Sequence, residues 1–295
     1  KADLATSLVI ELSSLAGEMG RAYARADGED EAVAEAIFEA ALPRFSGDLL
    51  PITTIGAILS IADRADELVA LFAAGAKPTG SADPYALRRS ATGLVQVITS
   101  HDLPISTREL FRMAARKVPL PVSEALLDEL DAFVTARQEA RLVEEGHRIE
   151  LVRALAPLST RPADMSRGLS DLESLETTPW FPATVAAYKR VRRLAPDESQ
   201  ANVDQTQFED PAEVSLWKSF EAIEPELRAT NSLTRFFELL SSLAPEIEAY
   251  FAAVHVMVDD QKVRENRLAT LAAVRDVGSS RLAWDDLPEG RPLAQ

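Results

Sequence analysis

The chain has 295 residues, 46 % apolar and 26 % charged, which is enough for two domains of ordinary size with real cores. Its net charge of -16 excludes a general polyanion binder, because phosphate affinity comes mainly from Lys and Arg, so any nucleic-acid contact must be a local basic patch on an acidic body. The absence of Cys excludes a disulfide framework and a thiolate metal site, and no apolar run approaches the roughly 18 residues that cross a bilayer, so a soluble chain without a membrane partner is expected.

Taken in order, residues 3–19 read as an amphipathic helix with Leu4, Leu8, Leu12, Leu15 and Met19 on one face. Because this helix is already under way at Lys1, the sequence is expected to be part of a longer chain. Residues 30–42 give a second helix, with Val33, Ile37, Phe38 and Ala41 inward and Pro43 as its stop. A long helix over 54–74 carries Ile58, Ile61, Ala62, Leu68, Val69 and Phe72, and Gly75 closes it.

A breaker-rich elbow comes next, from Lys77-Pro78-Thr79-Gly80 through Asp83-Pro84 to Leu87-Arg88-Arg89. Asp83 is placed to cap a helix with Pro84 at its first position, and Leu87, Ala91, Leu94, Val95 and Ile98 form the buried face of that helix. Thr107 and Ser123 are candidate N-caps for helices over 108–117 and 124–145, with Gly146 as a C-cap, and a short helix spans 148–155. Pro, Ser, Thr and Gly crowd together between residues 157 and 182, which places a domain boundary there. Five helices come after it, over 182–194, 211–227, 232–243, 245–256 and 260–277, with Asn231 and Asp259 as candidate caps for two of them. No stretch alternates with a period of two, so the fold class is all-α, in two helical domains.

Four sets of residues suit chemistry. Asp63 and Asp66 lie three apart on one helical face, where carboxylates can hold a divalent metal, although a solvated face beside Arg64 is the favoured reading. Arg88 and Arg89 leave the elbow side by side; they suit contact with a phosphate or a partner, and an arginine that bonds the elbow's own carbonyls is favoured. Tyr188-Lys189-Arg190 with Arg192 and Arg193 is the densest positive cluster, in which the tyrosine is placed to stack an unpaired base. Arg264, Asn266 and Arg267 on the last helix fit either an RNA contact or hydrogen bonds that lock the helix in place. No glycine-rich phosphate loop, nucleophile constellation or synthetase ATP motif is present, so no catalytic residue is assigned.

The elbow resembles the β subunit of the bacterial and plastid type of glycyl-tRNA synthetase, whose chains carry a proline-threonine-glycine-serine, aspartate-proline, leucine-arginine-arginine signature. Three more stretches resemble that family in order: Lys1-Ala2-Asp3-Leu4 with Ala16-Gly17-Glu18-Met19-Gly20-Arg21, then Ala62-Asp63-Arg64-Ala65-Asp66, then Val256-Met257-Val258-Asp259-Asp260 through Leu268. The resemblance implies an HD-like helical domain over 1–160, a linker over 161–181 and an anticodon-binding domain of the DALR type over 182–295. It implies that this part recognises tRNA(Gly), while an α subunit or fused α portion performs ATP-dependent glycine activation and transfer with Mg²⁺, in an α2β2 assembly or a fused dimer.

In that family the stretch at Lys189 opens the anticodon-binding domain, which favours RNA contact there, with Lys189 and Arg190 as the best match and Arg192 and Arg193 supported by charge alone. No cofactor is expected in this part and no DNA partner, and the compartment is bacterial cytoplasm or, for a eukaryotic parent, plastid or mitochondrion. The alternatives are a degenerate or active HD-type metal phosphohydrolase and a helical scaffold for protein partners. Active HD enzymes need several histidines, whereas His101, His147 and His255 lie off the expected helices, Ala40 and Ala41 stand where the family often has histidine, and His101-Asp102 falls in a loop.

Overall fold

A computed structural model describes residues 3–80, 82–196 and 202–289; Lys1 and Ala2 of the opening motif and Ser81 of the elbow lie outside the described residues. The described residues are helical, with an isolated bridge between Thr79 and Ala82 and no strand, so the all-α expectation holds. The chain divides into two compact units, Lys1–Gly146 with Leu158–Ser166, and His147–Pro157 with Arg167–Gln295.

In the first unit the opening 3–19 segment is not one helix. A 3-10 turn at Asp3–Ala5 leads to α1 (Ser7–Glu11), a second turn at Ser13–Leu15, and α2 (Glu18–Ala26). Gly17, at φ 78°, makes the break, and a Cβ there would come within 2.8 Å of the Phe38 carbonyl oxygen. Leu4, Leu8 and Leu12, expected inward, are consequently exposed. In α3 (Glu31–Ala40) the buried residues are Ala34, Ala36, Phe38 and Glu39 rather than Val33, which is exposed. The buried Glu39 organises the entry to the next helix: its carboxylate accepts from the backbone N–H groups of Ile52 and Thr53 (2.7 and 3.0 Å) and bonds the Thr53 hydroxyl. Thr53 in turn caps α4 (Thr54–Ala73) by accepting from Gly56 N–H at 3.0 Å.

The core of this unit is built from α4 residues Ile61, Leu68, Val69 and Phe72 and the Leu87, Leu94, Val95 and Ile98 face of α5 (Leu87–Ser100). Phe111 of α6 (Thr107–Ala115) and Leu127, Leu130 and Val134 of α7 (Glu124–Glu144) complete it. Ile58 and Ala62, expected inward, lie on the exposed side of α4. α5 starts at Leu87 rather than at Pro84, because Pro84 and Tyr85 form a turn and Ala86 adopts a left-handed conformation. Asp83 still serves the helix end, with its two oxygens accepting from Leu87 N–H (2.8 Å) and Arg88 N–H (3.0 Å). Ser123 caps α7 as expected, whereas Thr107 is the first residue of its helix, buried, with its N–H bonded to the Thr160 carbonyl.

The stretch expected as a linker over 161–181 carries α9 (Pro162–Glu176), which belongs to the first unit through Ser166 and to the second from Arg167. Its Leu169, Leu172 and Leu175 are buried at helical spacing, a pattern outweighed in sequence by the Pro, Ser and Thr on both sides.

The second unit contains α8 (Ile149–Ala154), α10 (Phe181–Leu194), α11 (Pro211–Ala229), α12 (Leu233–Ala253) and α13 (Gln261–Asp276). The helices expected over 232–243 and 245–256 are one continuous α12 with Pro245 inside it. Proline removes one backbone donor, yet Leu240, Leu243, Ala244 and Ile247 are buried on both sides of it, so packing carries the helix through. The caps of α12 and α13 are Ser232 and Asp260, one residue beyond the expected Asn231 and Asp259. An aromatic core joins α10 and α12 to the C-terminal segment: Phe181 lies 4.8 Å from Phe237, and Trp284 lies 4.2 Å from Tyr188 and 5.7 Å from Phe237 between ring centroids.

At Gly56 a Cβ would meet Glu39 Oε2 at 2.0 Å and Glu39 Cβ at 2.4 Å, and the latter is fixed to the α3 backbone. Gly56→Ala is therefore expected to force α3 and α4 apart and to destabilise the first unit by about 1–3 kcal/mol in urea denaturation.

Candidate nucleic-acid interface

The α10 sequence determines which of its cations are available. Phe181, Thr184, Val185, Ala187, Tyr188 and Val191 form its buried face, so Arg190 and Arg193 are left on the exposed side and Lys189 and Arg192 on the flanks. All four cations lie toward the helix C-terminus, where positive charge complements the backbone dipole.

The four differ in what already holds them. Lys189 Nζ donates to the Leu287 carbonyl at 2.6 Å, which makes it a tie between α10 and the C-terminal segment. Arg190 lies over the Phe251 ring, 4.3 Å from its centroid, and reaches Glu248 at 3.4 Å. Arg193 pairs with Glu289 at 2.7 Å, with 66 % of its side chain exposed. Exposed pairs of this kind contribute little to stability, so a phosphate can replace the carboxylate at small cost. The Arg192 guanidinium forms no hydrogen bond with the described residues.

Tyr188, expected to stack a base, is instead fully buried. Its ring packs on Trp284, its hydroxyl donates to the Arg275 carbonyl, and burial holds the phenol well above its usual pKa. Gly278 makes room for it, since a Cβ there would come within 2.6 Å of the Tyr188 hydroxyl. Asn266 and Arg267 are likewise interior residues. Asn266 accepts from the Asp204 backbone N–H at 2.7 Å and donates to the Asp204 carbonyl at 3.0 Å, so its amide is used by one loop residue.

Arg267 donates to Glu213 (2.9 Å), to the His255 carbonyl (3.0 Å) and to Glu209 (3.1 Å). Burial pulls its guanidinium pKa down, but the hydrogen bond and charge of Glu213 outweigh that and leave it raised. Glu213 also closes the capping box of α11 by accepting from the backbone N–H groups of Glu209 and Asp210, both at 2.9 Å. Arg264 is half-buried and donates to the Val258 carbonyl at 2.8 Å. No hydrogen bond or ion pair among the described residues joins the Lys189 and Arg264 clusters.

In the first unit Arg88 Nη2 donates to the Gly80 carbonyl at 2.7 Å, the structural role favoured for it, whereas Arg89 is exposed and forms no hydrogen bond with the described residues. Asp63 is half-buried and Asp66 exposed, and no group of three His, Cys, Asp or Glu among the described residues is placed to hold a metal ion. His101 bonds the Pro51 carbonyl at 2.8 Å, and His147 pairs with Glu173 at 2.6 Å, so both rings serve local structure. Glu213 was not among the residues singled out from sequence, although Asp210 followed by Pro211 and, three residues after the cap, Glu213 is a legible capping signature.

A family model described as glycyl-tRNA synthetase beta subunit matches residues 1–157, and a second, described as DALR anticodon binding domain, matches residues 184–283. A chloroplastic/mitochondrial glycine–tRNA ligase of Arabidopsis thaliana is 37 % identical over 290 residues, which is 97 % of this chain and 27 % of that protein. Glycine–tRNA ligase beta subunits of Chromohalobacter salexigens and Desulforamulus reducens are each 36 % identical, over 94 % and 92 % of this chain and 41 % and 40 % of theirs. The chain thus spans about a quarter to two fifths of the length of these relatives.

The buried and exposed arginines are expected to separate in a stability measurement. Arg267→Ala leaves Glu213 buried without its cation and costs about 3–5 kcal/mol, whereas Arg193→Ala changes stability by less than about 0.5 kcal/mol. Thermal melts followed by circular dichroism read the difference directly.

Proposed function

Because the chain belongs to the glycyl-tRNA synthetase β-subunit family, we propose that it is the tRNA-binding part of a glycine–tRNA ligase, with its second unit gripping tRNA(Gly) at the anticodon end. The observation that carries this reading is the coincidence of the anticodon-binding match over 184–283 with the exposed arginines that α10 presents at its C-terminal end. On a chain of charge -16, Arg190, Arg192 and Arg193 form the local basic patch that the overall charge requires. Lys189, Tyr188, Asn266 and Arg267 serve this patch indirectly, by fixing the helices that present it.

The complete enzyme, on this proposal, activates glycine with ATP and Mg²⁺ in an α subunit or fused α portion and transfers it to the tRNA held here. Its assembly is α2β2 or a fused dimer, and its compartment is the bacterial cytoplasm or an organelle. The first unit, with the HD-like character implied by its motifs, contributes no chemistry of its own to that reaction.

Binding of tRNA(Gly), against a tRNA with a different anticodon, over a salt series tests the reading. The chain is expected to prefer tRNA(Gly), and an Arg190→Ala/Arg193→Ala variant is expected to bind more weakly with a logarithmic salt slope lower by about 2. Equal binding of both tRNAs, or an unchanged slope in the variant, contradicts it.

A further inference from the structure

The segment that joins α12 to α13 leaves the first helix at Ala253 and reaches the cap of the second at Asp260. Its side chains alternate, with Val254 and Val256 buried, His255 exposed and Met257 61 % exposed. Two guanidinium groups of α13 hold its backbone. Arg267 donates to the His255 carbonyl at 3.0 Å and Arg264 to the Val258 carbonyl at 2.8 Å, while the Val254 N–H donates to the Tyr250 carbonyl at 2.8 Å. A loop pinned in this way has already lost the freedom that binding would otherwise remove, and it keeps an imidazole and a thioether facing solvent.

This segment starts beside the α10 patch. Phe251, in the last turn of α12, carries Arg190 over its ring at 4.3 Å, and His255 follows it within about 14 Å of fully extended chain. Of the nearby carboxylates, Glu248 pairs with Arg190 and Asp260 accepts from the N–H groups of Lys262 and Val263, whereas Asp259 is exposed. An exposed carboxylate disfavours a phosphate at this end, so the segment suits the uncharged face or edge of a base. An imidazole stacks on an unpaired base and exchanges hydrogen bonds with its edge, and a thioether makes favourable contacts with an aromatic ring.

We propose that His255 and Met257 contact unstacked bases of the anticodon loop and carry a discrimination between tRNA sequences that phosphate contacts by the α10 arginines cannot supply. The inference rests on the tRNA reading of the second unit and adds to it a separation between groups that grip the RNA backbone and groups that read its bases. Arg267 uses the His255 carbonyl and not its ring, and Met257 is held through its buried neighbour Val256, so both side chains can be shortened without loosening the segment.

Binding of the whole chain to tRNA(Gly), and to the same tRNA with its anticodon bases exchanged, tests the inference when His255→Ala and Met257→Ala are carried through a salt series. Each variant is expected to bind tRNA(Gly) about tenfold more weakly, the loss of one base contact, and to change little toward the exchanged tRNA. The salt slope and the melting curve are expected to stay as in the parent, since no cation and no buried group is removed. Met257→Leu, which keeps an apolar contact, is expected to lose less than Met257→Ala. The inference fails, with the tRNA reading intact, if the parent prefers tRNA(Gly) and both alanine variants keep that preference, or if they weaken both tRNAs equally. A parent chain that binds neither tRNA, or both alike, overturns the inference together with the reading beneath it.

Discussion

The second unit depends on one buried ion pair. Glu213 is 1 % exposed and Arg267 6 %, and between them they close the α11 capping box, hold the His255 carbonyl and fasten α13 to the start of α11. A buried pair is weak evidence for net stability, since two charges must leave water to form it, but it tolerates few alternative registers. With the Asn266 clamp on Asp204, it fixes the irregular segments at 204–210 and 254–260 from a single helix. The first unit obeys the same physical rule with other residues: Glu39 holds the backbone at 52–53 and the start of α4, and Asp83 holds the start of α5. In both units a side chain, not local propensity, decides where a helix begins.

That rule explains which parts of the fold were legible in the sequence. Where periodicity and a cap agree, as in α4 with Thr53 and α7 with Ser123, the helix is where the pattern put it. Where tertiary contacts decide, the pattern misleads. Pro245 reads as a break but sits inside α12 because buried residues flank it on both sides, and Gly17 splits a stretch whose leucines read as one stripe. Asp83-Pro84 reads as cap and first turn, yet a left-handed Ala86 delays α5 by three residues while Asp83 reaches forward to bond it. The helix α9 within 161–181 was not legible, because prolines and hydroxyl residues mask its leucine spacing.

The candidate site was legible in charge but not in role. The Lys189–Arg193 cluster is visible as composition, and its exposed members follow from the helical phase of the buried residues around it. The roles of Tyr188, Asn266 and Arg267 were not visible, because an aromatic or amide beside cations reads the same whether it faces a base or the interior. Their partners, Trp284, Asp204 and Glu213, stand 96, 62 and 54 positions away, beyond what local spacing can reveal. The result is a division of labour in which interior polar groups set geometry, while Arg190 and Arg193 are paired on the surface with exposed carboxylates, Arg190 also lying over Phe251, and on the proposed function these are the groups offered to phosphate.

On this proposal the α10 arginines touch RNA while Arg267 of α13 only supports them, and arginine-specific chemical modification read by mass spectrometry tests this most directly. With the chain saturated by tRNA(Gly), Arg190 and Arg193 are predicted to lose reactivity while Arg267 stays unreactive with or without RNA. Undiminished modification of Arg190 and Arg193 in the tRNA complex would contradict the account.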